Sequence, residues 1–141
     1  MTQVDFYLVN EDGADSRDRV ACRLTDKAFR MGRRVYIYTD NEDTARQLDR
    51  LLWTFNPGSF VPHELHLAEG TNDVPVAVGC GEPPVEFADV LVSVAADVPS
   101  FFSRFERVAE VVGATEQEKQ QARDRFRFYR DRGYELETHQ I

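Results

Sequence analysis

The sequence predicts an α/β fold: one domain over residues 1–141, with a largely parallel sheet flanked by helices. Short runs rich in β-branched and aromatic residues alternate with segments whose apolar residues recur at helical spacing, the pattern of repeated strand–helix units. A chain of 141 residues suits one hydrophobic core. No internal repeat, low-complexity tract or linker divides it.

Residues 4–9 read as the first strand, and the polar loop 10–15 leads into a helix over 16–31. There Val20, Leu24, Ala28 and Met31 recur at helical spacing, and Gly32 supplies the stop. A second strand, 34–38, follows. Asp40 or Asn41 caps the next helix, whose apolar face is Ala45, Leu48, Leu51 and Leu52. This β-α-β-α opening implies a right-handed crossover. Residues 53–62, with two prolines and a glycine, read as a structured loop. Short strands are expected over 64–67 and 74–78, and a stronger one over 89–94. The Asp97, Pro99 and Ser100 cluster is expected to open a helix over 100–111. The last helix is the best marked: Thr115 and Glu118 make a capping box, and Gly133 closes it. Residues 134–141 read as a final strand or extended tail.

Hydrophobic residues make up 42% of the chain, the composition of a folded globular protein. The net charge of −8 opposes wrapping the whole molecule on nucleic acid, which needs a basic footprint, but allows a local basic patch. The first six residues show no export signal, and the most apolar run, 90–96, is too short to cross a membrane. Cys22 and Cys80 read as reduced and partly buried, and a cytoplasmic location is expected.

The order of elements is Rossmann-like and invites a nucleotide-binding reading. Phosphate cradles need closely spaced glycines after the first strand, because only bare backbone approaches the phosphates. Here the loop is Asn10-Glu11-Asp12-Gly13-Ala14-Asp15, with one glycine and three acidic side chains. The fold is therefore expected without a nucleotide-binding loop. His63 and His66, with Glu64 between them and Cys80 as a conceivable third ligand, lack the further donors of a metal site. No pairing of Cys80 with a histidine carries a nucleophile's signature, and the acidic residues are scattered. No catalytic residue, cofactor or metal is expected.

Two surfaces remain. At about 100° per residue, Lys119, Arg123, Arg127 and Arg130 fall within roughly an 80° arc of the last helix, beside an apolar stripe of Ala122, Phe126 and Tyr129. A cationic row along an aromatic strip suits a short acidic peptide that also carries a hydrophobic side chain. The helix pattern by itself favours a core face beside a solvated basic face. The concentration of arginine in an acidic chain argues for a site. A direct nucleic-acid binder, stacking bases on Phe126 and Tyr129, is the alternative use of the same helix. The second surface gathers Trp53, Phe60, Val61 and Pro62. It reads either as a protein-binding hot spot or as a lid on the core.

Several segments together resemble the chi-subunit family of bacterial DNA polymerase III. They are Phe6-Tyr7-Leu8, Gly32-Arg33-Arg34-Val35, Arg46-Gln47-Leu48-Asp49 with Leu52-Trp53, Ser59-Phe60-Val61-Pro62-His63, Asp89-Val90-Leu91-Val92-Ser93, and the stretch from Lys119 to Arg130 with Gly133-Tyr134. The resemblance covers essentially the whole chain, and Leu-Trp to Phe-Val-Pro-His is its most specific part. It implies a non-catalytic adaptor, similar in fold to nucleotide-binding α/β proteins but without their site. One face would hold the psi subunit of the clamp loader. The other would hold the acidic C-terminal tail of single-stranded DNA-binding protein, giving an indirect association with single-stranded DNA. The resemblance places Val112, Lys119, Arg123, Phe126 and Arg127 in the tail pocket, and Trp53, Phe60, Val61 and Pro62 at the psi-facing region. Phe126 stands where the family has a familiar tyrosine and Arg127 where it has a lysine. Residues 68–84 and 137–141 depart from the pattern.

Overall fold

In the computed structural model, which describes residues 1–11, 13, 15–67 and 74–141, seven parallel strands form one sheet. In chain order the elements are β1 (Gln3–Leu8), α1 (Ser16–Arg30), β2 (Val35–Tyr38), α2 (Glu42–Thr54), β3 (His63–His66), β4 (Val76–Gly79) and β5 (Val90–Ser93). A short turn of 3₁₀ helix, Phe102–Arg104, follows, then β6 (Arg107–Val112), α3 (Glu116–Asp131) and β7 (Glu135–Gln140). The strand order is β3-β4-β2-β5-β6-β1-β7. The expected α/β architecture is therefore the observed one. Asp12 and Ala14 of the acidic first loop, and 68–73 of the unfamiliar middle segment, lie outside the described residues.

Both faces of the sheet are covered, which explains strands as uniformly apolar as Val-Tyr-Ile-Tyr and Val-Leu-Val-Ser. One core lies beneath α1 and α2 and includes Val35, Ile37, Val76, Val78, Val92 and Val111. The other lies beneath α3 and the aromatic loops, with Phe6, Tyr36, Phe87, Phe101, Phe105, Val112 and Tyr129. Asn41, not Asp40, caps α2: its side chain accepts from the Thr44 amide at 2.8 Å. Asp40 instead accepts from the Ala96 amide, tying the ends of β2 and β5 together. Thr115 caps α3 as expected, accepting from the Glu118 amide at 3.1 Å and donating its hydroxyl to the Glu118 carboxylate at 2.9 Å. Gly133 ends the helix with φ of 81°, a conformation that suits a residue without Cβ.

The expected helix over 100–111 is not formed. Phe102–Arg104 makes a single 3₁₀ turn, and Arg107–Val112 is β6, a central strand paired with β5 and β1. Phe101, Phe105, Val108 and Val112 do recur at helical spacing. But a strand buried on both faces is apolar at nearly every position, and periodicity cannot separate that from a helix. Val108, Val111 and Val112 are β-branched and suit the pleated surface. The helix α2 also extends through Trp53 and Thr54, so the loop before β3 begins two residues later than expected.

Strands β1 and β6 are neighbours, yet the helices that follow them lie on opposite faces. Such a switch point opens a crevice beyond the carboxyl ends of the two strands, where open α/β sheets commonly receive ligands.

Candidate functional site

A cleft of about 380 Å³ occupies that crevice. Phe6, Leu8 and Val112 come from β1 and β6, and Ala122 and Phe126 from the inner face of α3. Thr138 and Gln140 of β7 form the remaining wall. Phe126 packs on Phe6 with ring centroids 5.4 Å apart, so the floor is aromatic and continuous with the core. Lys119 and Arg123 line the cleft one helical turn apart, and among the described residues no carboxylate lines it. The chemistry is that of a receptor for an apolar group attached to an anion.

Neither cation is strongly engaged elsewhere. Arg123 donates to the Gln120 amide oxygen at 3.1 Å and, among the described residues, has no carboxylate within ion-pair range. Lys119 sits 3.9 Å from Glu116. Arg127 and Arg130 are exposed, paired with Asp124 and Asp131, and absent from the cleft's lining. The structure thus brings Val112, Lys119, Arg123 and Phe126 together and leaves Arg127 outside, one turn further along.

What holds α3 at this angle is a buried polar group. Glu110 on β6 is fully buried and accepts from Arg125 Nε at 3.0 Å and from the Tyr129 hydroxyl at 2.7 Å. Arg125 also donates to the Ala96 carbonyl at 2.8 Å. Burial raises the Glu110 pKa, outweighing the opposing pull of Arg125 and the Tyr129 hydrogen bond. The Tyr129 hydroxyl is likewise pushed up, by burial first and by Glu110 second. An arginine inside the core is costly unless it is paired, and here Glu110 takes its Nε and a backbone carbonyl its Nη1. At the start of the helix, the Glu118 carboxylate folds over Gly113. A Cβ on that residue would meet the carboxylate at 2.0–2.4 Å, so glycine leaves the space the capping box needs.

The second surface lies at the other edge of the sheet, where α2 ends against β3. Trp53 is 52% and Phe60 68% exposed, with ring centroids 5.8 Å apart. Two large aromatic rings left this open in a chain with a well-filled core make a candidate interaction patch. Beneath them His63 is buried, its Nδ1 2.6 Å from the Val61 carbonyl and its Nε2 2.8 Å from the Asp49 carbonyl. The Trp53 ring rests 4.4 Å from the His63 ring. Val61 is buried and Pro62 half-buried, so Val61 supports the patch from below instead of facing outward.

A model of the family described as DNA polymerase III chi subunit, HolC, matches residues 1–137. The chain belongs to the chi-subunit family. It is 43% identical over 141 residues to the DNA polymerase III subunit chi of Pseudomonas aeruginosa, covering 100% of this chain and 98% of that protein. The Escherichia coli K12 subunit is 32% identical over 152 residues, covering 98% and 97%. That of Haemophilus influenzae is 28% identical over 137 residues, covering 96% and 95%. Membership in the chi family places the chain with a subunit of the bacterial replicative polymerase.

For a chi-family chain the other chemical readings can be located. His63 lies in the core with both ring nitrogens against backbone carbonyls. Cys22 is buried, which pushes its thiol up to about 12, and Cys80 is half-buried; both are free thiols. No helix among the described residues is long and apolar enough to cross a membrane. Sequence reasoning missed the contributions of Phe6, Leu8, Thr138 and Gln140 to the cleft, which depend on strands far apart in the chain. It also missed Arg125. A basic residue four positions before Tyr129, on the apolar side of the helix, was the available signal.

Proposed function

We propose that this chi-family chain is a non-catalytic adaptor that captures the acidic C-terminal tail of single-stranded DNA-binding protein and links it, through psi, to the clamp loader. The observation that carries the reading is the cleft between β1, β6, β7 and α3, apolar at its floor, cationic at Lys119 and Arg123, and lined by no acid among the described residues. The two cations take the peptide's carboxylates, and Phe6, Val112, Ala122 and Phe126 receive its terminal apolar group. Arg127 adds long-range attraction from outside the cleft. Trp53 and Phe60, seated on Val61 and Pro62, offer psi an aromatic anchor.

A single short peptide held by exposed charges gives modest affinity that salt weakens. Several tails on one oligomeric partner raise the effective concentration. The chemistry of the cleft suits one terminal group better than a run of nucleotides, and the net charge of −8 disfavours a phosphate backbone.

Fluorescence anisotropy of a labelled peptide copying the acidic tail of the same organism's single-stranded DNA-binding protein tests this. Saturable binding, weakened by salt and removed by deleting the last two peptide residues, is expected. Absence of binding at high micromolar protein, or tighter binding of an unstructured oligonucleotide, contradicts it.

A further inference from the structure

We propose that Asp5, Glu137 and His139 form a binding site for one divalent transition-metal ion of the zinc class, on the sheet face opposite the tail cleft. Alternate residues of a strand face opposite ways, so Thr138 and Gln140 line the tail cleft while Glu137 and His139 face the α1 side. In the β1–β7 register Asp5 is paired with Glu137 and Tyr7 with His139, giving a two-by-two patch on that face. Helix α1 packs over β2, β5 and β6, and β7 stands beyond it at the edge of the sheet. A second cleft of about 380 Å³ lies there, lined by all four residues of the patch.

The donor geometry fits a small cation. His139 Nε2 lies 3.2 Å from Asp5 Oδ1 and 3.7 Å from Glu137 Oε2, and all three donor atoms lie within 4.8 Å of one another. Ligand bonds of about 2.0–2.1 Å in a tetrahedron put neighbouring donors roughly 3.3–3.4 Å apart, so small side-chain movements would close the set. The donors are also oriented. Asp5 is 4% exposed, and its second oxygen, Oδ2, lies 3.5 Å from Arg107, leaving Oδ1 toward the imidazole. The His139 ring is stacked on Tyr7 at 4.7 Å and 19°. Such outer partners fix ligand orientation in metal sites. Two carboxylates and one imidazole favour zinc over magnesium, which prefers oxygen donors and keeps its waters. The fourth position opens onto the cleft.

The opposing charges are Lys27, Arg33 and Arg107, which also line the cleft. Arg33 is paired with Glu106 at 2.9 Å, and Arg107, its side chain 55% exposed, meets Asp5 through Oδ2 and leaves Oδ1 to the imidazole. A bound ion would clamp β7, an edge strand whose one sheet neighbour is β1, and so brace the strand that carries Thr138 and Gln140 on its other side.

Isothermal titration calorimetry of the chelator-treated full chain with zinc chloride tests the site without relying on the tail-binding reading. One ion per chain is expected, with little heat from magnesium chloride and a zinc-dependent rise in unfolding midpoint. His139→Ala and Glu137→Gln should each weaken binding tenfold or more. The Glu137 side chain is 62% exposed, so Glu137→Gln decides the matter even where His139→Ala does not fold. No saturable binding at 100-micromolar-order concentrations, equal binding of magnesium, or undiminished zinc affinity in Glu137→Gln would each overturn the proposal.

Discussion

Arg123 is the cation in the cleft beside α3 with the least to give up. Its hydrogen bond goes to an exposed amide, whereas Arg127 already holds Asp124. Charge reversal at Arg123 therefore removes a carboxylate partner and sets a repulsive group at the cleft, while truncating Arg127 removes only attraction from a distance. Arg123→Glu should weaken the tail peptide at least tenfold and Arg127→Ala only about twofold, both read by anisotropy at constant salt. The meeting of Arg123, Lys119 and Phe126 in one cleft was legible from their spacing. The difference between Arg123 and Arg127 was not, because an arc of a helical wheel does not say where the neighbouring strand ends.

Helix α3 is positioned by β6 through Glu110, and this link has a signature in pH. Burial raises the folded-state pKa of Glu110 above its ordinary value of 4.5. The folded chain therefore holds that proton more tightly than the unfolded one. Its contribution to stability is complete below the ordinary value and declines as pH rises through the raised one. Chemical denaturation of the parent and of Glu110→Gln from pH 4 to pH 8 should show their stability difference shifting in the variant's favour as pH rises. A constant difference would mean that burial and pairing cancel. Most elements were readable in the chain: the capping box of α3, the Gly133 stop and the β-branched runs of β1, β2 and β5 all behave as local rules require. The segment around β6 was not, because its identity is decided by neighbours on both sides, and helical spacing in Phe101, Phe105, Val108 and Val112 arises there without a helix.

The whole molecule separates its two candidate surfaces. The cleft beside α3 lies at the β1–β6 end of the sheet and the Trp53–Phe60 patch at β3, five strand spacings away from β1, or roughly 24 Å. The two surfaces therefore do not overlap. Phe60→Ala, at a ring 68% exposed, should cost under about 1 kcal/mol of stability in thermal unfolding and leave tail affinity unchanged, while weakening psi capture. The parallel α/β architecture and the absence of a glycine-rich first loop were readable from sequence. The crevice at the switch between β1 and β6 was not, since strand order depends on pairings that a single sequence does not display.

The most direct measurement is a two-dimensional amide NMR titration of the isotopically labelled chain with the acidic tail peptide. The account predicts shifts concentrated at Val112, Gly113, Lys119, Arg123, Phe126, Thr138 and Gln140, with the Trp53 indole and Phe60 unmoved. Shifts centred on residues 53–62, or spread without focus over the exposed arginines of α3, would contradict it.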